Sequence, residues 1–177
     1  MNSIRRMASV GVVMLVATVA FGQAEKKKTE AQASFDAMKT LAGNWEGKVT
    51  VAEHPEMNNV AIHVSLRVTS MGNAIVHEMQ GEGRPDHPVT MVYLDNGQLT
   101  LTHYCDAGNR PRMTGKLLAD GKTVEFGFMD VAGPMTYGHM HNAKFTALDA
   151  DHHIEDWMFM EPGDKMSHAH MELTRSK

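Results

Sequence analysis

Apolar and polar residues alternate along most of this chain, with the period of two that is typical of β-strands with one face toward a core. In the segment from Val60 to Val68, every second residue is a large apolar one, and His63 falls on the other face. This pattern predicts a strand with His63 on the outside. Further strands are predicted at 45–52, 74–80, 90–94, 98–105, 112–118, 123–129, 137–147, 153–160 and 168–174.

One segment, Thr29 to Leu41, has a helical pattern instead, because Phe35, Met38 and Leu41 recur every three residues. Gly-containing turns such as Asp95-Asn96-Gly97 separate the predicted strands. The pattern predicts an all-β fold with one short N-terminal helix: a closed or nearly closed antiparallel meander barrel of about 8–10 strands. An immunoglobulin-like sandwich is the alternative.

The first 24 residues have the features of a secretory signal peptide. Arg5 and Arg6 precede an apolar run from Val10 to Phe21, and small residues follow up to Ala24. An uncleaved anchor is the alternative, but the run is shorter than the roughly 20 residues that span a bilayer. We therefore expect a secreted or periplasmic protein without stable membrane insertion after cleavage, with a signal peptide at 1–24, a linker and helix start at 25–34, and one barrel domain at 35–177.

Removal of residues 1–24 lowers Lys+Arg from 17 to 15 against 21 Asp+Glu, a formal charge of about −6. This charge argues against nucleic acid and anionic membranes as partners. Cys105 is the only cysteine, which excludes an intrachain disulfide. We interpret it as a small hydrophobe, with a reactive or metal-binding thiol as the alternative. The oligomeric state is not defined by the sequence.

The segment from Leu41 to Gly47, with its Gly-x-Trp motif, resembles the first strand of lipocalin-like (calycin) barrels. In that superfamily the tryptophan closes one barrel end and packs against a basic residue near the end of the last strand. The resemblance implies this structural role for Trp45 and Arg175. A cation over an indole is worth roughly 0.5–2 kcal/mol.

Most of the chain after Phe35 is similar to a group of uncharacterised secreted bacterial proteins that is assigned to this barrel class. The similar segments are 89–93, 102–113 and 149–157, and the most specific is the Thr-His-Tyr-Cys sequence at 102–105. The resemblance implies a fold and export, and no activity.

His139-Met140-His141 is the most informative local motif. If residues 137–147 alternate regularly, then Tyr137, His139 and His141 share a face with the apolar residues Ala143 and Phe145. That face is predicted to point inward. Imidazoles inside a barrel need a hydrogen-bond partner, a metal or a ligand.

The same alternation places His103 and Cys105 on the apolar face of one strand, and Glu155 with Trp157 on that of another. The predicted ligand-binding residues are His103, Tyr137, His139, His141, Glu155 and Trp157. A divalent transition metal held by His103, His139, His141 and Glu155 is an alternative, as is haem with one axial histidine. Hydrogen-bonded histidines around a polar pocket explain the same pattern, and the spacing matches no compact metal motif.

A second motif, His168-Ala169-His170, is predicted to point outward, because Ala169 shares a face with Met171. The sixteen methionines suit adaptable packing, although thioethers also bind Cu(I). Cys105 beside His103 lacks the further groups that a cysteine nucleophile requires, so we expect no enzyme and assign no catalytic residue.

The sequence thus predicts an exported barrel that binds a small, mainly apolar ligand in its lumen. Two alternatives stay open: a metal- or haem-binding protein, with or without enzymatic activity, that uses inward histidines, and a structural module with a filled core.

Overall fold

The computed structural model describes residues 28–84 and 87–176. The predicted signal peptide at 1–24 lies outside these residues. The described chain forms one helix, α1 (Glu30–Thr40), and then ten strands: β1 (Gly43–Val51), β2 (Val60–Thr69), β3 (Ala74–Gly81), β4 (Val89–Asp95), β5 (Gln98–Tyr104), β6 (Arg110–Leu117), β7 (Thr123–Ala132), β8 (His139–Ala147), β9 (His152–Glu161) and β10 (Lys165–Arg175). A short 3₁₀ turn, Pro55–Met57, follows β1.

All ten strands form one closed antiparallel barrel. Each strand pairs with its neighbours in sequence, and β1 closes the sheet by pairing with β10. The predicted meander barrel is confirmed, and the two-sheet sandwich is wrong. Closure leaves the sheet without a free edge.

The period of two in the sequence becomes an inner and an outer barrel face. Val64 and Leu66 on β2, and Leu99 and Leu101 on β5, are buried in one continuous apolar core. His63 points outward as predicted, with more than half of its side chain exposed.

Helix α1 closes one end of the barrel, which we call the closed end. Thr29 caps the helix by accepting a hydrogen bond from the backbone N–H of Gln32. Phe35 and Met38 insert into the core, and the hydroxyl of Ser34 accepts a hydrogen bond from the backbone N–H of Leu117 on β6. The opposite end, formed by the end of β1 and the starts of β2, β8 and β10, is the open end.

The predicted contact between Trp45 and Arg175 is confirmed at the closed end. The two residues are paired in the β1–β10 ladder, and the guanidinium carbon lies 4.0 Å from the indole centroid. The indole N–H donates to the carbonyl of Leu41, and one guanidinium nitrogen donates to the carbonyl of Ala42. These contacts fasten the end of α1 to the last strand.

Within the described ranges, no helix has the length and apolar character needed to cross a membrane.

Candidate functional site

The barrel interior contains a group of polar side chains, which we call the interior polar cluster: His77, His103, His153, Glu155 and Trp157. Glu155 on β9 is fully buried at its centre. The Nε2 atoms of His77 and His153 lie within about 3.1 Å of its carboxylate oxygens, and the Trp157 indole N–H donates to it at 3.0 Å. Three ring nitrogens therefore surround one buried carboxylate.

The surroundings of Glu155 determine its charge. Burial alone would raise the pKa of its carboxyl, because a charge is poorly solvated in the core. The charge of His77 and the hydrogen bonds from His153 and His77 outweigh burial and lower that pKa to about 2. Glu155 is therefore ionised at neutral pH.

His103 belongs to the same cluster but is uncharged. Its ring centroid is 5.4 Å from that of Trp157, and its Nδ1 is 2.8 Å from the hydroxyl of Thr90. Burial, assisted by the neighbouring charge of His77, lowers the pKa of His103 to about 3. The imidazole therefore serves as a neutral hydrogen-bonding group in the core.

Between this cluster and the open end lies an apolar pocket of about 340 Å³. Trp157 and Ala169, both on the inner face, contribute to its wall. Four methionines from four separate elements line it as well: Met57, Met79, Met140 and Met171. A second pocket, of about 480 Å³, shares Met57, Met140, Trp157 and Ala169 with the first and also includes Tyr137. Together they form what we call the mouth pocket.

The residues at the entrance of the mouth pocket are mostly acidic. In the first of the two pockets, Glu56, Glu82 and Asp106 accompany one cation, Arg84, and the second pocket adds His54, which is paired with Glu161. Arg84 lies 3.4 Å from Asp106, so its charge is already balanced within the protein. The entrance therefore carries a net negative charge.

His139 and His141, which we call the rim pair, lie at the open end and outside the interior polar cluster. The Nε2 of His139 is 3.2 Å from the Nδ1 of His141, and both rings pack on Phe128. Burial, with a smaller effect of His141, lowers the pKa of His139. His139 is therefore a neutral imidazole at neutral pH.

A β-bulge explains why regular alternation fails at the rim pair. Met140 pairs with Phe159, but the next paired residue is Asn142, so His141 is an extra residue in β8. Phe159 and Trp157 share the inner face of β9, so Met140, which is paired with Phe159, faces the lumen. Regular alternation instead predicts that the neighbouring residues His139 and His141 face the lumen. Tyr137 precedes β8 and is largely exposed.

The structure divides the predicted site residues into groups. His103, Glu155 and Trp157 lie together in the interior, whereas the rim pair and Tyr137 lie at the open end. The four predicted metal ligands, His103, His139, His141 and Glu155, therefore do not converge. Throughout the described part of the chain, no three His, Cys, Asp or Glu side chains are arranged to hold a metal ion.

Two residues of the interior polar cluster were missed in the sequence, and both carry the period-two signal. His77 alternates with Ile75 and Met79 on β3, and all three are buried. His153 alternates with Glu155 on β9 and is likewise fully buried. The apolar face of a strand therefore identifies buried histidines as well as buried aliphatic residues.

Cys105 is a free cysteine in the turn after β5 and is partly buried. Burial raises the pKa of its thiol. A thiol in this state is a weak nucleophile at neutral pH, which disfavours the reactive-cysteine alternative.

Neither a family model nor a curated protein sequence matches the chain. Similar solved structures include Rv2717c from M. tuberculosis, with a TM-score of 0.57, 13% identity and coverage of 81% of this chain and 98% of the other. An S-type phycobiliprotein lyase from Guillardia theta has a TM-score of 0.55 at 10% identity, with coverage of 85% and 98%. A DUF3598-family protein of unknown function from Nostoc punctiforme has a TM-score of 0.58 at 10% identity, with coverage of 78% and 48%. These likenesses support a lipocalin-like barrel and concern the fold alone.

Proposed function

We propose that this protein binds a small, mainly apolar ligand in the mouth pocket. The observation that carries the proposal is the lining of this pocket, in which four methionines meet Trp157 on the inner barrel wall. Concave apolar pockets of this size are the usual design of small-molecule sites. Methionine side chains adapt to irregular ligands because they are unbranched and polarizable.

The interior polar cluster gives the pocket a fixed wall. The Trp157 indole N–H is bound to Glu155, which is itself held by His77 and His153. An indole held in this way presents the same apolar surface to each ligand, so little conformational entropy is lost on binding. We assign a direct ligand contact to Trp157, and a supporting role to Glu155.

The charge at the entrance narrows the ligand class. Glu56, Glu82 and Asp106 outnumber Arg84, whose charge Asp106 already balances. An anionic ligand would be repelled here, whereas a neutral or cationic apolar ligand would not. The likeness to a phycobiliprotein lyase supports small-molecule binding at the level of the fold.

The test is a titration of the purified protein with N-phenyl-1-naphthylamine, a neutral apolar fluorophore. Energy transfer from tryptophan to the probe reports binding to the barrel, and a pocket-filling variant then tests whether the probe occupies the mouth pocket. In Ala169→Phe, a ring fills the pocket from the inner face of β10. Glu172→Phe is the matched control, because residue 172 lies on the same strand with an exposed side chain.

We expect saturable binding by the wild type and by Glu172→Phe, and a loss of at least about tenfold in affinity in Ala169→Phe, since the ring occupies the volume of the ligand. Absence of saturable binding by the wild type would refute the proposal and favour a filled structural barrel. Equal affinity of Ala169→Phe would show that the probe binds elsewhere.

We also propose that the protein is exported to the periplasm or the exterior. The support is the arginine pair, apolar run and small residues within 1–24. Mass spectrometry of the protein recovered from the producing cells tests this. We expect a mature N-terminus near Glu25, and a retained Met1 would contradict export by cleavage.

A further inference from the structure

The rim pair differs from the other histidines near the open end in its partners. His54, His168 and His170 each lie within 2.8 Å of a carboxylate oxygen, in Glu161, Glu53 and Asp156 respectively. In the described part of the chain, the rim pair has no carboxylate partner. Instead, one ring nitrogen of His139 lies next to one ring nitrogen of His141.

The distance between these nitrogens suits a shared metal ion. His139 Nε2 and His141 Nδ1 are 3.2 Å apart. Two imidazole nitrogens bound to one tetrahedral ion at about 2.0 Å each are about 3.3 Å apart. Little movement of either ring would be needed to place an ion between them.

Phe128 fixes the rings that would bind this ion. It is stacked on His141, with centroids 4.8 Å apart and planes 16° apart, and it also packs on His139. Ligands held by packing lose little entropy when the ion binds.

A methionine lies opposite one member of the rim pair on the neighbouring strand. Met160 on β9 is the direct ladder partner of His139, and Met166 on β10 is the partner of Met160. Residues directly opposite in an antiparallel ladder share a face, with Cβ atoms about 4.5–5.5 Å apart, within reach of a methionine side chain. Thioether ligands select Cu(I), and imidazole also suits copper.

We infer that His139, His141 and Met160 form a copper(I) site at the barrel rim. The site is separate from the mouth pocket, because the lining of that pocket includes neither imidazole. His141 is partly exposed, which gives the ion access from solvent. The inference therefore goes beyond the proposed ligand binding and does not depend on it.

The experiment is an anaerobic titration of the purified protein with Cu(I) in competition with bathocuproine disulfonate. His141→Asn and Met160→Leu each remove one ligand at a residue that is not fully buried. The control is the double variant His168→Asn with His170→Asn, which removes the other His-x-His motif. Cys105→Ser tests whether the free thiol is the ligand, and far-UV circular dichroism checks the fold of each variant.

We expect a site for one equivalent of Cu(I), with affinity reduced at least about tenfold in both His141→Asn and Met160→Leu. The His168/His170 variant and Cys105→Ser should keep the affinity of the wild type. Unchanged affinity in His141→Asn, or a loss in Cys105→Ser, would overturn the site. Unchanged affinity in Met160→Leu, or Zn²⁺ binding as tight as that of Cu(I), would overturn the copper(I) assignment.

Discussion

The Nε2 atom of His77 lies 3.1 and 3.0 Å from the two carboxylate oxygens of Glu155, although their strands, β3 and β9, are not neighbours in the barrel. The contact therefore runs across the interior and joins two walls. Both side chains are fully buried. A buried contact of this kind is held in place mainly because either polar partner alone would be costly to bury.

Replacing one partner of this pair should destabilise the barrel strongly. We expect His77→Leu to lower the free energy of unfolding by about 3–5 kcal/mol, since it leaves the Glu155 charge with fewer partners in the core. The double variant His77→Leu with Glu155→Leu should lose less than the sum of the two single variants, because it removes both partners of the contact. Urea denaturation measures this. Additive losses would contradict a coupled pair.

His103 should make stability depend on pH. Its pKa is about 3 in the folded protein, because of burial and then of His77, against about 6.5 in an unfolded chain. Between these values the unfolded state binds a proton that the folded state does not, so stability falls as pH falls through this window. The pKa of Glu155 is also lowered, from its ordinary value of about 4.5 to about 2. The stability that Glu155 contributes to the folded protein is therefore lost only as pH falls below about 4.5. The range between about 6.5 and 4.5 therefore isolates His103 from Glu155.

The measurement is the urea midpoint from pH 7 to 4.5 for the wild type, His103→Gln and His63→Gln. We expect a shallower decline in His103→Gln. His63 is exposed on the outer face, so His63→Gln should follow the wild type. The raised pKa of His54 acts in the opposite direction but is common to all three proteins. Identical slopes in His103→Gln and the wild type would argue against a buried neutral imidazole.

The closed end should depend on the shape of Arg175 as well as on its charge. The guanidinium covers the Trp45 ring and donates to the carbonyls of Ala42 and Ala150. Lysine keeps the charge but cannot donate in the same planar geometry. We expect Arg175→Lys to cost about 1–2 kcal/mol in thermal or urea unfolding, and Arg175→Leu to cost more. An Arg175→Lys variant as stable as the wild type would show that charge alone suffices.

The fold could be predicted from the sequence because its core is made of regular alternation. His63, Glu155 and Trp157 occupy the predicted faces, since no irregularity interrupts their strands. His77 and His153 could have been found by the same rule, because each alternates with buried residues. The exact partners of these two histidines could not be predicted, because a contact across a barrel depends on the diameter of the barrel and on the stagger of its strands.

The rim pair could not be placed from the sequence, because a bulge adds a single residue that alternation does not reveal. His141 is this residue in β8, and it reverses the faces of all residues before it. As a result Met140 lines the mouth pocket, whereas the histidines beside it do not. The motif that was predicted to point two imidazoles inward therefore places Met140 in the pocket wall and the two imidazoles at the rim.

Close approach between β6 and β7 should make Gly115 intolerant of any side chain. A Cβ atom at this position would lie 2.5 Å from the ring of Phe126, which is fully buried. Gly127 on β7 provides the matched control, because a Cβ there would meet no atom within 4 Å.

We expect Gly115→Ala to lower the free energy of unfolding by about 1–3 kcal/mol, as overpacking of a core does. Gly127→Ala should be neutral or stabilising by up to about 1 kcal/mol, since alanine restricts the unfolded chain. Urea denaturation of both variants distinguishes steric contact from a general effect of replacing glycine in a strand. Equal losses in the two variants would contradict close packing at Gly115, because only that position faces a ring.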